Sequence, residues 1–126
     1  MDRRRVVITG LGCITALSES VDELFAALCE GRSGVSTIQS FDTSAFPVHF
    51  GGEIKDFDVT KYIDRREAKR MDRFSEFAVA GAIQAVDDCG LDFGTLNPYR
   101  VGAIVGTGIG GIKEIEDQHV RLLEKG

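Results

Sequence analysis

The stretch VVITGLG, residues 6–12, is a run of β-branched residues closed by two glycines. Such a run predicts a short strand that is buried on both faces, as in a parallel sheet. A second run of the same kind, VGAIV at residues 101–105, also stops at a glycine cluster. We therefore expect two buried strands, one near each end of the chain.

Helices are predicted between and after these strands. Ser20 and Glu23 have the spacing of a capping box in front of an apolar face, and Gly31 is a stop signal. Apolar and small residues recur at helical spacing within residues 61–90, and again over residues 112–123. The order strand, helix, excursion, helix, strand, helix predicts an α/β fold with a parallel sheet covered by helices.

Residues 32–60 are the excursion that separates the first two predicted helices. Serines, glycines and a proline interrupt the pattern, and residues 49–54 are a weak candidate for a short strand. Disordered segments lack aromatic residues, whereas this one holds four phenylalanines. We therefore expect an ordered excursion that covers one side of the sheet.

Composition indicates one soluble globular domain of 126 residues, with 43% apolar and 28% charged residues. The net charge of −5 argues against nonspecific binding to nucleic acid or to a membrane surface. No apolar run is long enough to cross a bilayer, and the N-terminus lacks a signal-peptide pattern, so we expect a cytoplasmic protein.

The cysteines and histidines give no catalytic or metal-binding pattern. Cys13, Cys29 and Cys89 are widely spaced, which fits reduced thiols that pack as small buried hydrophobic residues. His49 and His119 each stand alone, so no metal site is predicted, and packed histidines are the simpler interpretation.

The glycine motif GTGIGG at residues 106–111 satisfies the spacing of a dinucleotide-binding turn between a strand and a helix. The acidic residue that would confirm a nucleotide site falls at or beyond Gly126. The alternative is that the glycines permit a tight turn and close packing, and this is the interpretation we favour.

Residues 61–73 reverse the overall charge, because six basic residues outnumber three acidic ones for a local net charge of +3. On one helix, Arg66, Lys69, Arg70 and Arg73 would share a face. A basic stripe on an acidic protein suggests an acidic partner. The alternative is a solvated face neutralised by the acidic residues of the same segment.

Five segments of the chain together resemble the β-ketoacyl-[acyl-carrier-protein] synthases, the type II elongating condensing enzymes of fatty-acid synthesis. They keep the order and spacing of the family over essentially the whole chain. The segments are residues 4–12, 31–35, 41–44, 71–74 and 106–111.

This resemblance implies a thiolase-like fold of two stacked α/β halves, of which residues 1–126 would be the N-terminal segment. It implies an acyltransferase without a cofactor, which condenses acyl and malonyl thioesters of acyl carrier protein and forms a homodimer at full length. The catalytic cysteine and two histidines of the family lie further along than Gly126. The resemblance therefore assigns no catalytic residue here, and a chain of only these residues would be inactive.

The resemblance also implies roles for four residues of this chain. Arg66, Lys69 and Arg70 match the positions at which the family docks its acidic carrier protein. Ile109 matches a residue that lines and gates the acyl-chain pocket near the subunit interface, and the helix over residues 112–123 would lie near the homodimer contact.

One departure from the family lies at residues 15–18, where this chain has TALS in place of Thr/Ser-Pro-Leu-Gly. We expect Ser18 to adopt a backbone conformation that glycine would adopt more easily. Polyketide ketosynthases and their chain-length partners share much of this region and are one alternative. A non-catalytic carrier-binding module and a nucleotide-binding domain are the others.

Overall fold

The computed structural model describes residues 3–126, which form four α-helices and one pair of short strands. The helices are α1 (Val21–Cys29), α2 (Arg65–Ala68), α3 (Arg73–Cys89) and α4 (Ile112–Lys125). The antiparallel strands are β1 (Ser36–Thr37) and β2 (Phe50–Gly51). Single 3-10 turns cover Val59–Lys61, Phe93–Thr95 and Pro98–Arg100.

The two β-branched runs do not form the expected parallel sheet within the described residues. Neither residues 6–9 nor residues 101–105 have a partner strand there, and β1 and β2 make the one sheet of that part of the chain. A strand needs a neighbour that completes its backbone hydrogen bonds. The side chains are also uncovered, since Val6 is 94% and Ile104 is 99% exposed.

The centre of the structure is α3, against which residues 10–13 pack directly. A Cβ atom at Gly10 would overlap the carbonyl oxygen of Ala85, and one at Gly12 would overlap that of Gly81. The small residues of α3 permit this approach, and Ala80 on the same helix is completely buried. The glycines after the first β-branched run therefore serve close packing.

The start of α1 differs in detail from the predicted capping box. Ser20 does precede the helix, but its side chain makes no capping hydrogen bond to the described residues. The Ser18 hydroxyl accepts from the Ser20 N–H at 2.9 Å and donates to the Glu23 carboxylate at 2.8 Å. Ser18 thus satisfies the Ser20 N–H, which the capping box assigned to the Glu23 carboxylate.

The expected strain at Ser18 is absent as well. Among the described non-glycine residues, Asp56 alone has a positive φ. The turn is closed instead by the Thr15 hydroxyl, which accepts from the N–H groups of Leu17 and Ser18. The turn therefore needs no left-handed residue at position 18.

The helical pattern of residues 61–90 resolves into separate helices because two aspartates interrupt it. Asp64 and Asp72 both have extended backbones, and each begins a new helix, α2 and α3. At its other end α3 stops at Gly90, which has a φ of 62°. This is the predicted end of the helix, since glycine adopts left-handed backbone without a steric cost.

Residues 32–60 are tied together by local contacts. Ser36 pairs with Gly51 in the strand pair, so the weak strand signal in residues 49–54 is confirmed at its centre. The Glu53 carboxylate accepts hydrogen bonds from the N–H groups of Gln39 and Ser40 at 2.8 and 3.0 Å. Phe57 packs edge-on against Phe77 of α3, with ring centroids 5.0 Å apart.

The cysteines are free thiols but do not pack as expected. Cys29 is exposed, and Cys13 and Cys89 are half-buried. Burial raises the pKa of the Cys13 thiol. No helix within residues 3–126 combines the length and the apolar character needed to span a membrane.

Candidate functional site

Arg66, Lys69 and Arg70, which we call the basic cluster, lie on and just after the short helix α2. All three side chains are exposed, and none of them forms an ion pair within 4.0 Å in the part of the chain that the structure describes. The Asp64 carboxylate accepts from the Arg66 backbone N–H at 2.7 Å, so it caps α2. The cluster is therefore less neutralised than the solvated-face alternative requires.

Arg73 does not belong to this surface, which corrects the predicted four-residue stripe. Its guanidinium donates to the Ile54 carbonyl oxygen at 2.6 Å and lies 5.0 Å from the centroid of the Phe77 ring. The predicted stripe required one continuous helix, but the backbone is extended at Asp72, and α3 begins as a separate helix after it. Arg73 consequently faces the excursion.

A cleft of about 410 Å³ runs beside the basic cluster, between the start of α3 and the start of α4. Lys69 and Arg70 line it together with Asp72, Ser75 and Glu114. Glu114 was missed by sequence reasoning because it lies far along the chain and belongs to another helix. No local pattern signals that a carboxylate comes to share a cleft with these cations.

The glycine turn at residues 106–111 leads directly into α4. The Gly110 N–H donates to the Thr107 hydroxyl at 3.0 Å, which closes the turn. Gly110 lies against the ring of Phe74, and Gly111 has a φ of 80° and lies against the Asp72 carboxylate. These two glycines therefore serve close packing, as the tight-turn interpretation predicts.

The other glycines of the turn have a different setting. A Cβ atom at Gly106 or Gly108 would meet no described atom within 4 Å. Ile109 projects from the same turn and is 76% exposed. Ile109 is the residue before Gly110, which contacts Phe74, but its own side chain is not buried among residues 3–126.

The histidines lie apart from the basic cluster and from the glycine turn. His49 Nδ1 is 3.2 Å from the Thr43 hydroxyl oxygen, within the excursion. His119 is exposed on α4. In the described ranges no three potential metal-ligating side chains come together.

Comparisons with known proteins agree on one family. The family model described as "Beta-ketoacyl synthase, N-terminal domain" matches residues 3–126. The chain is 48% identical, over all of its length, to a 3-oxoacyl-[acyl-carrier-protein] synthase 2 from a Synechocystis species. It is 44% identical over the same span to the protein of that name from Vibrio harveyi. It spans about 30% of the length of each of these relatives.

A solved structure is similar as well. The ishigamide ketosynthase/chain length factor superposes with a TM-score of 0.68 at 41% sequence identity. The match covers 75% of this chain and 24% of that one.

Proposed function

This chain belongs to the β-ketoacyl synthase family and has its thiolase-like fold, and we propose that residues 1–126 are the N-terminal segment of a 3-oxoacyl-[acyl-carrier-protein] synthase. The observation that carries the proposal is the 48% identity, over the whole chain, to a relative of that name. The uncovered runs at residues 6–9 and 101–105 support a larger domain, in which they would join the predicted parallel sheet.

The proposed reaction is the decarboxylating condensation of fatty-acid elongation. A cysteine thiolate takes the acyl group from its carrier, and malonyl-carrier protein loses CO₂ to leave an enolate carbon. That carbon attacks the enzyme-bound thioester, so that a C–C bond forms, the C–S bond breaks and the cysteine leaves as thiolate. The family resemblance assigns the cysteine and its two histidines to positions after Gly126 and implies a homodimer at full length, which we propose is cytoplasmic.

We assign the basic cluster of Arg66, Lys69 and Arg70 to docking of the acidic acyl carrier protein. Complementary charge steers such an encounter and strengthens it most where the basic groups are not already paired. The exposure of the three side chains and the lack of an ion pair to any of them within residues 3–126 support this role. Ile109 is assigned to the acyl-chain pocket on the family resemblance.

The docking role is tested by reversing Arg66, Lys69 and Arg70 singly to Glu in the full-length protein. We expect the Kd for acyl carrier protein to rise about five- to tenfold for each, with less dependence on salt. Arg100→Glu is the matched control, because Arg100 is also exposed but lies on a turn outside the cleft. An unchanged Kd in all three variants would remove the docking role.

A second candidate is favoured by the structural neighbour, which is a ketosynthase/chain length factor at 41% identity. The protein would then be a polyketide ketosynthase or its chain-length partner. Condensation assays with the purified full-length protein separate an elongating synthase from a chain-length partner. An elongating synthase, without any other chain, releases CO₂ from malonyl-carrier protein and forms the 3-oxoacyl product. A chain-length partner forms that product only when a ketosynthase chain is added.

A further inference from the structure

Phe74 and Gly110 form a close contact between two segments that the sequence separates widely. Phe74 is the second residue of α3, and Gly110 lies in the turn before α4. A Cβ atom at Gly110 would stand 2.8 Å from three carbons of the Phe74 ring. Real Cβ atoms do not approach a ring so closely, so the contact exists only because residue 110 has no side chain.

The neighbouring pair strengthens the same junction. Asp72 lies two residues before Phe74, and its carboxylate lies against Gly111, which precedes α4. A carboxylate near the first turn of a helix is favoured by the partial positive charge of that end. Both Asp72 and Phe74 therefore hold the turn from the side of α3.

Ile109 lies inside this turn, directly before Gly110, which two contacts hold in place. On one side the Thr107 hydroxyl accepts from the Gly110 N–H at 3.0 Å, and on the other the Phe74 ring lies against Gly110. A side chain that discriminates among substrates needs a backbone that is held in place by its surroundings. Ile109 has that support although its own side chain is exposed.

We propose that Phe74 is a positioning residue, which holds the Gly110 turn and thereby sets where Ile109 meets the acyl chain. The inference rests on the proposed role of Ile109 in the acyl pocket. It makes the preference for acyl-chain length depend on a residue at the start of α3 that does not itself touch substrate.

The test is Phe74→Ala in the full-length protein, with kcat/KM measured for a short and a long acyl-carrier substrate. We expect the ratio of the two values to change by about fivefold or more, because small displacements in an apolar pocket alter discrimination on that scale. The Kd for acyl carrier protein should not change. Phe93→Ala, which removes a phenylalanine of similar exposure elsewhere, should leave the ratio unchanged.

A second test changes the sizes of the two side chains at the contact between residues 74 and 110. Gly110→Ala places a methyl group against the Phe74 ring and should shift the ratio as well, whereas the double variant Phe74→Ala/Gly110→Ala should return it towards the wild-type value. Should Phe74→Ala fail to fold, Gly110→Ala and Phe74→Leu carry the same comparison. The positioning role would be overturned by a loss of kcat/KM that is equal for both chain lengths. It would also be overturned if the ratio for the double variant lay further from the wild-type value than that of either single variant.

The two proposals fail in different ways. If Ile109→Ala leaves the chain-length ratio unchanged, the proposed function of Ile109 is wrong. If Ile109→Ala changes the ratio and Phe74→Ala does not, the positioning role alone is wrong.

Discussion

The side-chain oxygen of Gln84 accepts a hydrogen bond from the backbone N–H of Cys13 at 2.9 Å. Through its nitrogen, the same amide donates to the Glu19 carbonyl oxygen at 2.7 Å and to the Tyr62 hydroxyl at 2.8 Å. One half-buried side chain of α3 therefore joins the segment after the first β-branched run, the entry to α1 and the turn before α2.

We expect Gln84→Ala to lower the free energy of unfolding by about 2–4 kcal/mol, because three partners lose their hydrogen bond at a partly buried position. Tyr62→Phe removes only one of these bonds and should cost about 1 kcal/mol. Gln118→Ala is the control, since the side chain of this exposed glutamine bonds to Glu114 alone among residues 3–126. Urea denaturation measures the free energy of unfolding of all three variants. A Gln84 variant as stable as the Gln118 variant would contradict the central role of the amide.

Gly12→Ala should destabilise the protein by about 1–3 kcal/mol or more, because the new methyl group overlaps the Gly81 carbonyl oxygen of α3. Gly52→Ala is the matched control, since the nearest described atom to a Cβ there would be the Ala16 Cβ, at an ordinary contact distance of 3.7 Å. Thermal unfolding compares the two. Equal melting temperatures would mean that residues 10–13 do not pack on α3 as closely as described.

Glu114→Gln should tighten binding of acyl carrier protein about two- to threefold. Glu114 lines the same cleft as Lys69 and Arg70, so its carboxylate opposes the approach of an acidic partner. The gain should shrink at high ionic strength, where exposed charges are screened. Glu116→Gln, an exposed change on the same helix outside the cleft, serves as the control. The assignment of the cleft fails if both variants bind the carrier protein equally.

Acid stability should depend in part on Glu53. Hydrogen bonds from Ser40 and from the Gln39 N–H lower the pKa of the Glu53 carboxyl in the folded protein. A depressed folded pKa contributes stability that is present above the unfolded pKa and is lost as the pH falls through the folded one. Glu53→Gln should therefore lower the melting temperature at neutral pH, and the difference from the wild type should shrink in acid.

The control for this pH series is Glu124→Gln, at the exposed end of α4. Its melting temperature should follow that of the wild type at every pH. A Glu53 variant whose difference from the wild type is constant from neutral to acidic pH would exclude the ionised carboxylate as the cause.

The helix ends that adjoin glycines were predictable because they depend on residues close in sequence, whereas the break at Asp72 was not predicted. Gly90 ends α3 through its left-handed backbone, and α4 begins directly after the glycine turn, as the pattern indicated. The β-branched runs were recognised as strand-forming, but a strand exists only where another chain segment completes its hydrogen bonds. Their pairing could not be read from residues 6–9 or 101–105 alone.

The sequence by itself determined the family, the ends of helices that adjoin glycines and the presence of a basic segment, because motif order, glycine positions and charge are properties of neighbouring residues. Only the tertiary structure decided that Arg73 lies apart from the basic cluster, that Glu114 shares a cleft with Lys69, and that Phe74 lies on Gly110. These contacts join separate helices, and they depend on how the chain turns at Asp72 and at Gly111. Such turns set directions in space that no local periodicity encodes.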